Sequence, residues 1–226
     1  HKHRRRQRQM CIRDSWRWIR RNTANMRNWF LSWLITGSLG MKIWLIRHAK
    51  PLVEKGLCYG RLDVRADQSL TELASDNLMN ALSESSGVKV LFTSPRQRTK
   101  QLANLLAQRL NISLVEEELL AEMDFGEWEG HLWEDIPKSA IDLWTEDFNN
   151  HLFGGGESTG QLLNRVWLLM ENAKRRHEDQ IWVTHAGVIK AVQFLMNNGE
   201  PYIKSAADWP RETTNFGDWI TVDITT

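Results

Sequence analysis

From residue 41 onward, short apolar runs alternate with stretches whose apolar residues recur at helical spacing, and this alternation constrains the fold more than any other feature. A strand that is followed by a helix and then by another strand returns most readily in parallel, so the pattern predicts an α/β fold with a mostly parallel sheet. Strands are expected at 41–46 ("MKIWLI"), 88–93 ("VKVLFT"), 112–115 ("ISLV"), 180–184 ("QIWVT") and 217–224 ("GDWITVDI"). The helix expected over 94–110 places Leu102, Leu105, Leu106 and Leu110 on one face, with Ser94 as N-cap, Pro95 at the first helical position and Gln97 three residues after the cap. Over 158–176, Ser158 and Gln161 form a capping box ahead of a core stripe of Leu162, Val166, Trp167, Leu169, Met170 and Ala173. Further helices are expected around 71–84 and 187–196, and one domain is the simplest organisation.

Charge divides the chain near Met41. The first forty residues carry ten Lys or Arg against the single acid Asp14, whereas the remainder holds 19 basic and 27 acidic groups. Residues 1–40 have no apolar rhythm beyond "WFLSWLITGSLG", about a dozen residues, and a bilayer span needs about 20. A nucleic-acid-binding arm, a membrane-surface anchor and a signal peptide are the functional readings of this segment. We expect instead a disordered or non-native extension: "MCIRDS", residues 10–15, resembles a translated sequencing-library end, and Met41 is the expected start. An acidic body repels polyanions, so no nucleic-acid partner is expected, and no membrane partner. Two cysteines, Cys11 and Cys58, make no disulfide framework.

Cationic and protonatable groups cluster where the expected strands end. The first ends in Arg47-His48, the second runs into a helix whose first turn carries Arg98, and the fourth ends at His185. Ligands of open α/β sheets bind outside the carboxyl ends of the strands. Like charges that converge there need an anion among them, and two guanidinium groups plus a helix N-terminus suit a phosphoryl group.

The blocks "LIRHAK", "TSPRQRTKQLA", "LAEMDFGEWEG" and "VTHAG", in that order, resemble the signature of the histidine phosphatase superfamily, also called phosphoglycerate-mutase-like, over essentially all of 41–226. The resemblance implies a three-layer α/β/α sandwich and a phosphoric monoester hydrolase without metal or diffusible cofactor. It makes His48 the nucleophile, places Arg47, Arg98 and His185 in the phosphate pocket, and makes Glu122 the proton donor, which must carry a proton when substrate binds. Arg96 is a rival for the pocket, but the family spacing to Gln101 selects Arg98.

"CYGRLDV" together with "EMDFGEWEG" resembles the α-ribazole phosphatase branch, which implies a small phosphorylated substrate, α-ribazole 5′-phosphate, a place in cobalamin assembly and the cytoplasm. Alternatives are a broad-specificity or sugar-phosphate phosphatase of the same superfamily and a non-catalytic phosphate-binding protein. Tyr59, Arg61 and Asp63 are candidates to frame the leaving group. Glu157 lies where the family places an acid that supports the pocket. Ala49 stands where the family has glycine, which is tolerable only if that position needs no positive φ. The family's Thr and Asn further on are replaced by "KPLVEKG".

Overall fold

The computed structural model describes residues 40–82 and 87–224, and Met41–Ile224 form one compact unit. The basic arm expected over 1–40 lies outside the described residues, apart from Gly40. Among the described residues the sheet has five strands: β1 (Met41–Arg47), β2 (Val90–Thr93), β3 (Ser113–Glu116), β4 (Gln180–Thr184) and β5 (Trp219–Ile224). Their order is β3-β2-β4-β1-β5; β1, β2, β3 and β4 run parallel, and β5 is an antiparallel edge.

Alternation along the strands sorts side chains between two cores. Ile46, Leu91, Ile181 and Val183 face α1 (Gln68–Ala81) and α2 (Gln97–Leu110), while Ile43, Leu45, Phe92 and Trp182 face α4 (Thr159–Lys174) and α5 (Ala186–Asn198). The three expected layers are therefore present. The short helix α3 (Lys138–Glu146), which the sequence pattern did not single out, leans Ile141 and Trp144 on the second core.

The register of the sheet builds the site. Arg47 pairs with Thr184 and Thr93 with Val183, so β1, β4 and β2 end level with one another. The next residues of each strand, His48, His185 and Ser94, emerge side by side. Backbone bonds fasten them: His48 N donates to Thr184 O and Ser94 N to Val183 O, both at 3.1 Å.

Three local expectations are corrected. Helix α2 starts at Gln97 behind Arg96, so Ser94 is not its cap and Pro95 precedes the first turn. Its N-terminus is capped by Asp63, whose carboxylate accepts from Gln97 N at 2.7 Å and Gln97 Nε2 at 3.0 Å, so both oxygens of Asp63 are engaged at that helix end. Trp167 is 40% exposed and sits off the core stripe, whereas Leu162, Val166, Leu169, Met170 and Ala173 are buried as expected. The capping box of Ser158 and Gln161 forms in both directions.

Candidate active site

His48 stands at the end of β1 and is 2% exposed. Its Nδ1 lies 2.7 Å from the carbonyl of Ala49. A carbonyl only accepts, so Nδ1 carries the proton and Nε2 keeps a free lone pair. Burial, then the positive charges of Arg98 and Arg47, hold this imidazole well below its ordinary range against the opposing pull of the Ala49 bond. The ring is therefore neutral at neutral pH, with the Nε2 lone pair unprotonated. Ala49 is absent from the positions with positive φ, which is why alanine substitutes here for glycine.

The second histidine lies beside the first, with ring centroids 5.2 Å apart and planes at 64°. His185 is fully buried; its Nε2 is 2.8 Å from Ser94 Oγ and its Nδ1 has no protein partner. Burial, Arg98 and His48 also hold His185 well below the usual range. Arg98 is fully buried and donates through Nη1 and Nη2 to the carbonyls of Leu62 and Gly60, both at 2.6 Å. Arg47 donates to Thr214 O at 2.7 Å and lies 3.7 Å over the ring of Phe216. Its Nε and that of Arg98 are buried without a protein partner, so each guanidinium keeps donor capacity for a bound anion.

A cavity of about 270 Å³ opens beside His48, lined on its polar side by Arg47, His48, Tyr59, Glu122 and Lys190. Glu122 sits on the segment between β3 and α3, and its carboxylate accepts from Met123 N at 3.0 Å and Gly187 N at 3.1 Å. Gly187 is in the first turn of α5, whose positive end thus faces this acid. Arg165 clamps the Glu122 segment: Nη1 donates to Leu119 O and Ala121 O, each at 2.7 Å, while Nε and Nη2 donate side by side to the two oxygens of Glu157 at 2.6 and 3.0 Å. Two parallel hydrogen bonds are the strongest arrangement open to an arginine and a carboxylate.

The geometry therefore brings Arg47, Arg98 and His185 around His48, with Arg47, His48, Tyr59 and Glu122 in the cavity wall and Arg98 and His185 set behind it. Both oxygens of Glu157 serve Arg165 and one also accepts from Asp124 N, so this residue braces the Glu122 segment from behind and does not line the cavity. Arg61 reaches towards Asp124, at 3.9 Å, and is not part of the cavity wall. Cys58 offers no rival nucleophile, since burial and the nearby Glu129 push its thiol up to about 12. Sequence reasoning missed Ser94, Lys190, Arg165, Thr214 and Phe216. Only Ser94 was visible in a motif, and it was read there as a cap.

The sequence profile of the histidine phosphatase superfamily (branch 1) matches residues 43–202. Phosphoserine phosphatase 1 of Hydrogenobacter thermophilus is 28% identical over 159 residues, covering 67% of this chain and 74% of the relative. A crystal structure of a Thermus thermophilus protein superposes with a TM-score of 0.60 at 26% identity, over 80% of this chain and 93% of that one. A candidate alpha-ribazole-5'-P phosphatase of Escherichia coli K-12 has the same fold, with a TM-score of 0.66 at 23% identity over 82% and 91% of the two chains. The chain belongs to the histidine phosphatase superfamily, branch 1, and is one of its phosphatases.

Proposed function

We propose that the protein hydrolyses a small phosphomonoester without a metal ion, through a phosphohistidine on His48. The observation that carries this reading is the bond from His48 Nδ1 to Ala49 O, which leaves Nε2 unprotonated beside His185 and two guanidinium groups. Nε2 attacks phosphorus as the bond to the ester oxygen breaks; Arg47, Arg98 and His185 stabilise charge on the equatorial oxygens, and protonated Glu122 gives its proton to the leaving oxygen. Water then attacks the phosphohistidine, Glu122 takes a proton from it, and inorganic phosphate departs with His48 restored.

For the substrate we propose α-ribazole 5′-phosphate, in cobalamin assembly in the cytoplasm. Phe125, Trp133, Trp144, Phe148 and Trp209 line the cavity beyond Glu122, a wall suited to stacking against a flat heteroaromatic base. The name of the E. coli neighbour supports the same choice. A second reading is favoured by Lys190, among the described residues the one ammonium in the cavity wall, which would pair with the carboxylate of phosphoserine, the substrate named for the Hydrogenobacter relative. Among the described residues no helix is long and apolar enough to cross a membrane, and no group of three or more His, Cys, Asp or Glu is placed to hold a metal ion.

The test is a comparison of kcat/KM for α-ribazole 5′-phosphate, phosphoserine, phosphoglycerates and sugar phosphates, with the chain starting at Met41 and EDTA present. A preference of about tenfold or more for α-ribazole 5′-phosphate is expected from one stacked ring system. Equal rates on all four support a broad-specificity enzyme, a preference for phosphoserine supports the second reading, and loss of turnover in EDTA removes the metal-independent mechanism.

A further inference from the structure

We propose that Ser94 is a positioning residue that sets the tautomer of His185, presenting this second histidine to the phosphoryl group as a neutral Nδ1–H donor. The inference rests on the reading of His48 as the phosphorylated residue and adds to it a statement about which proton, on which atom, meets the phosphate.

Hydrogen accounting leads to the assignment. Ser94 is fully buried, so its hydroxyl proton needs an acceptor within the protein. Among the described residues the partner of Ser94 Oγ is His185 Nε2, at 2.8 Å. If the hydroxyl donates, Nε2 accepts and the one proton of the neutral imidazole sits on Nδ1. The reverse arrangement, Nε2–H donating to Oγ, strands the hydroxyl proton without an acceptor. It also aims a lone pair from Nδ1 at whatever anion occupies the site.

The environment of the ring supports the same choice. Nδ1 is buried and has no protein partner, on a ring 5.2 Å from that of His48. A donor left unmatched in the resting protein is matched once a phosphoryl oxygen arrives. The imidazole does not need to be charged for this, and burial together with Arg98 keeps it neutral. Positive charge is supplied by Arg47 and Arg98, while the neutral ring supplies direction.

Ser94 is itself held on every side. Its amide donates to Val183 O at 3.1 Å, and its carbonyl accepts the hydroxyls of Thr93 at 3.1 Å and Thr99 at 2.7 Å. The carbonyl is therefore not competing for the Ser94 hydroxyl, which is free to point at His185. This accounts for a serine at the end of β2 that caps no helix.

The test is long-range proton–nitrogen correlation on full-length protein carrying nitrogen-15 histidine, free and with orthovanadate. The expected spectrum shows His185 protonated on Nδ1 and bare on Nε2, with the Nδ1 signal moving when vanadate binds. Protonation on Nε2, or on both nitrogens, overturns the proposal, and this wild-type measurement decides the matter even if variants fold poorly. In Ser94→Ala the tautomer is expected to shift towards Nε2–H, with kcat falling about 100- to 1,000-fold and KM changing little, the scale of one lost or misdirected transition-state donor. Ser94→Thr, which keeps the hydroxyl, is expected to restore both readouts. A Ser94→Ala protein that keeps the Nδ1–H tautomer and wild-type kcat also overturns the proposal. Failure to find phosphate on His48 would remove the parent reading and leave the His185 spectrum interpretable by itself.

Discussion

Glu122 and Gly187 hold each other in place: Oε2 of the carboxylate accepts the Gly187 amide at 3.1 Å, and a β-carbon on residue 187 would collide with Oε1. The glycine is needed for space, not for backbone freedom, since its φ is not positive. Gly187→Ala should push the flexible Glu122 side chain aside and leave the fold intact, because alanine suits the first turn of α5. We expect kcat for p-nitrophenyl phosphate to fall about 100-fold, the scale of a displaced general acid, with an unchanged melting temperature. Wild-type kcat in this variant would show that Glu122 need not occupy its observed position.

Both active-site histidines titrate well below the ordinary value of 6.5, first because they are buried and next because of Arg98. The proposed mechanism uses the neutral form of His48, so activity should persist as pH falls below 6.5 and be lost only on passing the lowered pKa. Stability follows the same groups with a definite sign. Between the folded pKa values and 6.5 the unfolded chain binds more protons than the native one, so stability is complete above 6.5 and declines as pH falls through that window. Thermal melts from pH 7.5 to pH 5 should show a falling midpoint, less steeply in His48→Asn. A midpoint that rises on acidification would contradict the neutral assignment.

Asp63 accepts two hydrogen bonds from Gln97 at the start of α2, and the same loop supplies the Gly60 and Leu62 carbonyls that hold Arg98. Asp63→Ala should cost about 0.5–2 kcal/mol, as for other N-caps. Because the loop also carries the Arg98 contacts, inhibition by inorganic phosphate should weaken in the same variant. Urea unfolding and phosphate inhibition constants check the two effects separately.

Trp133 lines the cavity while remaining 38% exposed, which makes it the wall residue whose loss least disturbs the core. Trp133→Ala should raise KM for 1-naphthyl phosphate by about tenfold, the loss of one stacking surface, and leave glycerol phosphate hydrolysis unchanged. Equal effects on both substrates would mean that the aromatic wall supports the fold and does not read the leaving group.

The sequence exposed the parts of the site that reside in a single strand end. Arg47, His48 and His185 each follow an apolar run, and the parallel register then brings them level without further information. Contacts between distant segments were not legible. Ser94 in front of Pro95 has the local appearance of a helix cap, and only the juxtaposition with His185, 91 residues later, reveals its partner. Asp63 and Gln97 cap a helix across 34 residues, and Glu157 beside a glycine run gave no sign that Arg165, eight residues on, would absorb it. Trp167 fell on the apolar period of α4 yet faces outward, since periodicity gives a stripe but not its width.

A covalent intermediate at His48 is the claim on which the proposed chemistry depends. During turnover of p-nitrophenyl phosphate, quenched in base to preserve a phosphoramidate bond, peptide mass spectrometry should find one phosphoryl group on the peptide holding His48. The same adduct should be absent from His48→Asn, which should also have lost turnover by at least about four orders of magnitude. Full turnover with no phosphorylated peptide, or with phosphate on a residue other than His48, would contradict it.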